Sequence, residues 1–75
     1  MNTDSIFIIR TYSKNELARM YCPALSLDSA LRMFRTWIDT HPDLNERLVL
    51  TGYKPRNRYF TPRQVEMIRD CLGEP

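Results

Sequence analysis

Hydrophobic and polar positions follow a helical period in the middle of the chain. The apolar residues there recur at intervals of three and four: Leu27, Ala30, Leu31, Phe34, Trp37 and Ile38. This spacing places them on one face of an amphipathic helix, with polar side chains on the opposite face. Ser26 is the predicted N-cap, and the helix is predicted to end near Thr40, before Pro42.

A capping box precedes this central helix. Ser13 and Glu16 have the S-x-x-E spacing in which each side chain accepts a hydrogen bond from the other residue's backbone N–H. The spacing predicts a helix from Ser13 to about Tyr21. Pro23 ends it, because the residue before a proline is disfavoured in the α conformation.

The last helix is the most clearly marked element. Thr61 is the predicted N-cap, Pro62 suits the first helical position, Gln64 completes a second capping box and Gly73 ends the helix. The face that this helix buries is predicted to consist of Val65, Ile68 and Leu72.

Two β elements are predicted outside the helices. Residues 6–12 are β-branched and aromatic, which is typical of a short strand. Residues 53–60 predict a β-hairpin, in which two brief strands flank a turn at 55–57.

A short third helix is predicted to begin at Pro42 and to end at Gly52. Asp39, His41 and Asp43 lie near its start and resemble a proton-transfer site in composition. A helix junction favours another interpretation, in which Asp43 stabilises the helix N-terminus electrostatically and His41 is exposed to solvent. We therefore predict no catalytic residues.

The element order is strand, helix, helix, short helix, hairpin, helix. It predicts a mainly α fold with a small β-hairpin (α+β), similar to a winged helix-turn-helix, in one domain over 1–75 with loose ends at 1–5 and 74–75. Leu44, Leu48 and Val49 are the predicted inward-facing residues of the short third helix. The main core candidates are Ile6, Ile8, Leu17, Ala18, Leu31, Phe34, Trp37, Ile38, Leu48, Phe60, Val65, Ile68 and Leu72.

Composition narrows the possible functions. The chain of 75 residues has only two glycines, which argues against a phosphate-cradling loop. No apolar run approaches the roughly 18 residues of a membrane span, and the N-terminus lacks the basic region of a signal peptide, so we expect a cytosolic protein. Cys22 and Cys71 are interpreted as small buried thiols, although a disulfide would form if the fold brought them together. With one histidine and no CxxC spacing, neither a metal site nor a cofactor is predicted.

Charge is unevenly distributed along the chain. The block between Arg47 and Val65 holds five basic residues and no acidic one, while the formal net charge of the whole chain is only +2. The rest of the chain therefore sums to −3. A localised positive block suits a polyanion better than a small neutral ligand.

Candidate contact residues come from the central helix and from the basic block. The outer side of the central helix would present Ser29, Arg32, Arg35 and Thr36. Pairing of Arg32 with Asp28, and of Arg35 with Asp39, is an equally good interpretation of the two helix arginines. The hairpin and the last helix would add Lys54, Arg56, Asn57, Arg58 and Arg63. We expect Arg32, Arg35, Arg56, Arg58 and Arg63 to share one surface.

The aromatic residues of the block have two possible uses. Tyr53 and Tyr59 could stack on bases, as aromatic side chains do in proteins that bind single strands. Packing of these tyrosines against Trp37 is the favoured alternative. Phe60, directly before the cap, is assigned to the core.

Segments that contain these motifs resemble two groups of proteins. The segments YSKNELARMYCP, SALRMFRTWI and GYKPRNRYFTPRQVEMIRDCLGEP resemble a family of short proteins of unknown function from gut bacteria. SKNELA, ALRMFRTW and RYFTPRQVEMI are more distantly similar to the winged helix-turn-helix of MerR-like regulators and excisionase-like proteins. That second resemblance implies that Arg32 and Arg35 lie on the helix that enters the DNA groove, and that Arg56 and Arg58 lie on the wing.

The sequence thus leads to two hypotheses. The first is a small regulatory or architectural module that binds double-stranded DNA. The second is an adaptor of the same fold whose basic surface binds an acidic protein.

Overall fold

Four helices and one pair of short strands make up the part of the chain that the structure, a computed structural model, describes, residues 7–75. The elements are β1 (Tyr12–Ser13), α1 (Lys14–Tyr21), α2 (Leu27–Thr40), α3 (Pro42–Leu50), β2 (Tyr59–Phe60) and α4 (Pro62–Leu72). Neighbouring helices pack in sequence, α1 on α2, α2 on α3 and α3 on α4. The prediction of a mainly α fold with a small antiparallel sheet is confirmed.

Both predicted capping boxes are present. The Ser13 hydroxyl accepts the Glu16 N–H at 3.0 Å, and the Glu16 carboxylate accepts the Ser13 N–H at 3.1 Å. The second of these bonds is the main cause of the lowered pKa of Glu16. At α4, Thr61 and Gln64 exchange the same pair of bonds at 3.2 and 3.0 Å. The first residue of each of these helices is therefore fixed by local sequence.

α3 begins at Pro42, as predicted, but the role of His41 differs from the prediction. His41 is partly buried rather than solvent-exposed, and its Nδ1 accepts the Leu44 N–H at 3.1 Å. The imidazole is thus the N-cap of α3, a role in which its nitrogen lone pair replaces the usual hydroxyl or carboxylate oxygen. Asp43 lies in the first turn of α3, as predicted, and forms an ion pair with Arg47 at 3.6 Å.

The predicted hairpin over 53–60 is wrong in its pairing. Tyr59–Phe60 pairs antiparallel with Tyr12–Ser13, not with the residues that follow α3. The N–H of Tyr53 donates to the carbonyl of Leu48 at 3.1 Å, so the start of the segment is bound to the end of α3. Because that donor is already used, Tyr53 is unavailable for the expected ladder. The predicted strand over 6–12 shortens to its last residue plus Ser13, and its first residue lies outside the described part.

The core lies where β2 meets the helices. Phe60 is fully buried, stacks on Tyr53 at 5.5 Å between ring centres and contacts the edge of Phe34 at 6.0 Å. Tyr53 thus packs on Phe60, rather than on Trp37 as we expected. The remaining predicted core residues that are buried are Leu17, Ala18, Phe34, Ile38, Leu44, Leu48, Val65 and Ile68.

Some core predictions need correction. Leu31, Trp37 and Leu72 are only partly buried at the edge of the core. Ile8 is 61% exposed, and Val49, predicted to face inward from α3, is 58% exposed. Ile6 lies outside the described residues. Both cysteines are free thiols: Cys22 is buried, which raises its pKa, and Cys71 is partly buried.

Candidate nucleic-acid interface

Residues 54–58 (KPRNR), here called the basic loop, project between α3 and β2. The Asn57 N–H donates to the carbonyl of Lys54 at 2.9 Å and closes a turn. The side chains of Lys54, Arg56 and Arg58 are exposed. Three cations within five residues therefore lie on a turn whose backbone is held by its own hydrogen bond.

Lys14, the first residue of α1, holds the basic loop in place. Its N–H donates to the carbonyl of Arg58 at 2.9 Å, and its ammonium donates to the carbonyl of Pro55. The Ser13 cap fixes the start of α1 and with it the position of Lys14. Lys14 was absent from the predicted contact residues, because nothing in the sequence links it to a loop 41 residues away.

An outer cavity of about 510 Å³ lies between the basic loop and the start of α1. Lys14, Arg56 and Arg58 line it, together with Asn57 and Tyr59. The Tyr59 ring is 61% exposed. Cationic groups around a concave surface with an exposed ring can hold a phosphate and a flat base together.

An inner cavity of about 190 Å³ adjoins the outer one and shares Lys14, Leu31 and Pro55 with it. The Lys14 ammonium lies 5.0 Å from the centre of the Tyr53 ring, and Arg35 also lines this cavity. Burial lowers the pKa of Lys14, the charge of Arg35 lowers it further, and Asp39 opposes the shift. α2 therefore contributes a cation to the same concave surface as the basic loop.

Arg35 is the helix arginine for which the ion-pair interpretation is confirmed. Its Nε lies 3.6 Å from a carboxylate oxygen of Asp39, and both side chains are more than half exposed. An exposed pair of this kind contributes only about 0.3–0.5 kcal/mol, so it can open for another anion. Arg32 forms no ion pair with Asp28 or with any other carboxylate in residues 7–75.

Ser29, Arg32 and Thr36 form a stripe along the exposed side of α2, since they are spaced three and four residues apart. The hydroxyl of Thr36 donates to the carbonyl of Arg32 at 2.9 Å, which leaves its oxygen lone pairs as acceptors. None of the three lines either cavity. The stripe is thus a second polar surface on the helix that also carries Arg35.

Arg63 does not join the other predicted residues. It lines a separate cavity of about 410 Å³ between α3 and α4, with Arg47, Leu50 and Met67, that shares no lining residue with the inner or outer cavity. The expectation that five arginines share one surface is therefore wrong for Arg63, and Arg32 does not line the inner or the outer cavity either. Thr61 caps α4 immediately after the buried Phe60, and the new helix carries Arg63 toward α3.

Among residues 7–75, no three side chains of histidine, cysteine, aspartate or glutamate come together as metal ligands would. Within the same range, every helix is too short or too polar to cross a bilayer.

Comparison with other proteins identifies the family of the chain. No curated protein and no solved structure matches it. The model of one family, described as Domain of unknown function (DUF4248), matches residues 8–75, nearly the whole length. The chain therefore belongs to the DUF4248 family.

Proposed function

We propose that this domain binds double-stranded DNA through the exposed side of α2 and the basic loop, in the manner of a winged helix-turn-helix. The observation that carries the proposal is the arrangement of Lys14, Arg35, Arg56 and Arg58 around two adjoining cavities. These residues come from α1, α2 and the loop, and a phosphate backbone is the ligand that relieves such a concentration of positive charge.

In this proposal, α1, the exposed side of α2 and the basic loop each have a different role. α1 packs on α2 and supports it, as the first helix of a helix-turn-helix does. The stripe of Ser29, Arg32 and Thr36 offers hydrogen-bonding groups to base edges. The basic loop takes the place of the wing and contacts phosphates with Lys54, Arg56 and Arg58, while Asn57 donates its side-chain amide.

The acidic residues of α2 limit how the helix can approach DNA. Asp28 and Asp39 are exposed on the same helix as the proposed reading residues. Asp39 also pairs with Arg35, so contact of Arg35 with a phosphate requires that pair to open. The basic loop, which contains no acidic residue, therefore supplies most of the affinity.

The salt dependence of binding tests the proposal. Fluorescence anisotropy with a mixed-sequence duplex is expected to show binding at low salt that weakens as salt is added. Four or five phosphate contacts give a log–log slope of about −4. A protein that leaves the duplex unbound at high micromolar concentration in low salt would rule the proposal out.

An acidic protein partner is the second candidate, and the mixed charge of α2 is the observation that favours it. A protein surface can place basic groups opposite Asp28 and acidic groups opposite Arg56, whereas DNA presents negative charge only. A partner captured from nuclease-treated lysate by the wild-type domain, and lost when Arg56 and Arg58 are both replaced by Glu, would support this candidate.

A further inference from the structure

The inner cavity has apolar walls and a small volume, two features that the proposed DNA binding does not require. Its walls are core side chains, with Phe34 and Ile38 from α2 and the stacked rings of Tyr53 and Phe60. Its volume of about 190 Å³ is smaller than the roughly 300–1,000 Å³ of pockets for drug-sized ligands. The cavity therefore has room for a single or fused ring, and not for a chain of nucleotides.

One polar group at this cavity belongs to a largely buried side chain. Tyr53 is only 9% exposed, yet its hydroxyl forms no hydrogen bond with another residue in the described range 7–75. Buried hydroxyl groups are normally hydrogen-bonded, since loss of water contacts is costly. Burial also raises the pKa of Tyr53, with a further rise from Asp39, so the hydroxyl remains a proton donor at neutral pH.

Two cations line the same cavity. The ammonium of Lys14 uses one of its three donors on the carbonyl of Pro55, which leaves two. The guanidinium of Arg35 contacts Asp39 through Nε, so its terminal nitrogens are not engaged by that pair. Proximity of these like charges contributes to the lowered pKa of Lys14, and an anion placed between them would reverse that contribution.

We propose that the inner cavity binds a small aromatic carboxylate, with its ring against the apolar walls and its carboxylate held by Lys14, Arg35 and the hydroxyl of Tyr53. The apolar walls favour a ring over a hydrated inorganic anion, since a phosphate ion would gain nothing from them. The two cations and the hydroxyl favour a carboxylate over a neutral ring. This inference does not rest on the proposed DNA binding, because the cavity is too small for a duplex.

Nuclear magnetic resonance titration of the ¹⁵N-labelled chain tests the inference. At constant ionic strength, sodium benzoate is expected to give saturable shifts at Lys14, Leu31, Arg35 and Tyr53, with a dissociation constant in the low millimolar range or below. Benzamide lacks the charge and acetate lacks the ring, so both should bind about tenfold more weakly or worse. Absence of saturation with benzoate, equal binding of benzamide or acetate, or shifts confined to other residues would overturn the proposal.

Matched variants locate the site. Tyr53→Phe keeps the ring that packs on Phe60, and Lys14→Gln keeps most of the side-chain length. Each is expected to weaken benzoate binding about tenfold, as loss of one hydrogen bond to a charged group does. Arg47→Gln combined with Arg63→Gln removes two charges from the α3–α4 cavity and should leave benzoate affinity unchanged. Folded Tyr53→Phe and Lys14→Gln proteins that bind benzoate as the wild type does would contradict the assignment.

Discussion

Two cation-bearing regions of this domain differ in what surrounds their charges. On the loop side, Lys14, Arg56 and Arg58 line a cavity that continues into an apolar one walled by Tyr53 and Phe60. On the α3–α4 side, Arg47 is paired with Asp43 at 3.6 Å and shares its cavity with Arg63. Arg35 on the first side is likewise paired with Asp39 at 3.6 Å, but no ion pair within residues 7–75 involves Lys14, Arg56 or Arg58, so more unpaired positive charge lies on the first side. For the proposed binding surface, the groups that lie beside each cation therefore matter more than the number of cations.

Backbone hydrogen bonds explain why the two regions are separate. The N–H of Tyr53 is bound to the end of α3, and Phe60 is buried in the core, so only the residues between them can project. Lys14 then holds the projecting segment against α1. The chain re-enters a helix at Thr61, which directs Arg63 away from the loop.

Removal of the Phe60 ring should have the largest effect. Phe60→Ala is expected to lower the free energy of unfolding by about 3–5 kcal/mol, because the ring is fully buried against Phe34 and Tyr53. That loss approaches the whole stability of a small domain. Leu50→Ala on the α3–α4 side, where the side chain is 82% exposed, should change stability by less than about 0.5 kcal/mol. Urea unfolding followed by circular dichroism measures both, and similar effects would contradict the described core.

A smaller effect on stability is expected at high pH from the bond that joins α1 to the end of α4. The Tyr21 hydroxyl on α1 donates to the carbonyl of Gly73 at the end of α4. Burial raises the pKa of Tyr21 to about 12 from the ordinary 10.0, with a further rise from Glu74. The folded state therefore keeps a proton that the unfolded state loses, and stability falls as pH rises from about 10 to about 12.

Tyr21→Phe is the variant that isolates this contribution. Its free energy of unfolding should fall less steeply than that of the wild type between about pH 10 and pH 12, since phenylalanine has no proton to lose. Urea unfolding at a series of pH values gives the two slopes. Parallel slopes would show that the Tyr21 hydroxyl titrates alike in the folded and unfolded chains.

The smallest expected effects come from removing the carboxylate of each of the two ion pairs, one on each side. Asp39→Asn and Asp43→Asn each remove the carboxylate partner of one exposed arginine, so each should change stability by less than about 0.5 kcal/mol. Asp39→Asn releases Arg35 on the loop side and should strengthen duplex binding about twofold. Asp43→Asn releases Arg47 on the other side and should not. Equal gains, measured by anisotropy, would mean that net charge alone governs binding.

Local sequence was sufficient to predict all four helices. The boxes at Ser13 and Thr61 and the apolar stripe of α2 are contained within single elements, so their spacing determines them. The hairpin was mispredicted because its outcome depended on competition for the Tyr53 N–H, which the end of α3 takes. His41 is a cap through a ring nitrogen, a role that composition does not distinguish from an exposed histidine.

The candidate site was predictable only in part. Arg56, Asn57 and Arg58 were identified because adjacent residues of a loop remain adjacent in space. Lys14 lies beside the basic loop although it was not predicted there, and Arg63 lies at the α3–α4 cavity instead of beside the loop, because their positions depend on which helix packs beside which. Contacts between residues far apart in the chain are set by tertiary packing, and the spacing of residues in the sequence does not predict that packing.

The measurement that tests the central claim most directly is a pair of matched charge reversals. One double variant carries Arg56→Glu and Arg58→Glu on the loop side, and the other carries Arg47→Glu and Arg63→Glu on the α3–α4 side. Both change the net charge equally, and circular dichroism checks that both remain folded. The loop variant is expected to bind the duplex at least about tenfold more weakly, with a salt slope near −2 instead of −4, while the other binds nearly as the wild type does. Equal loss of affinity in the two variants would contradict the claim that the loop side is the binding surface.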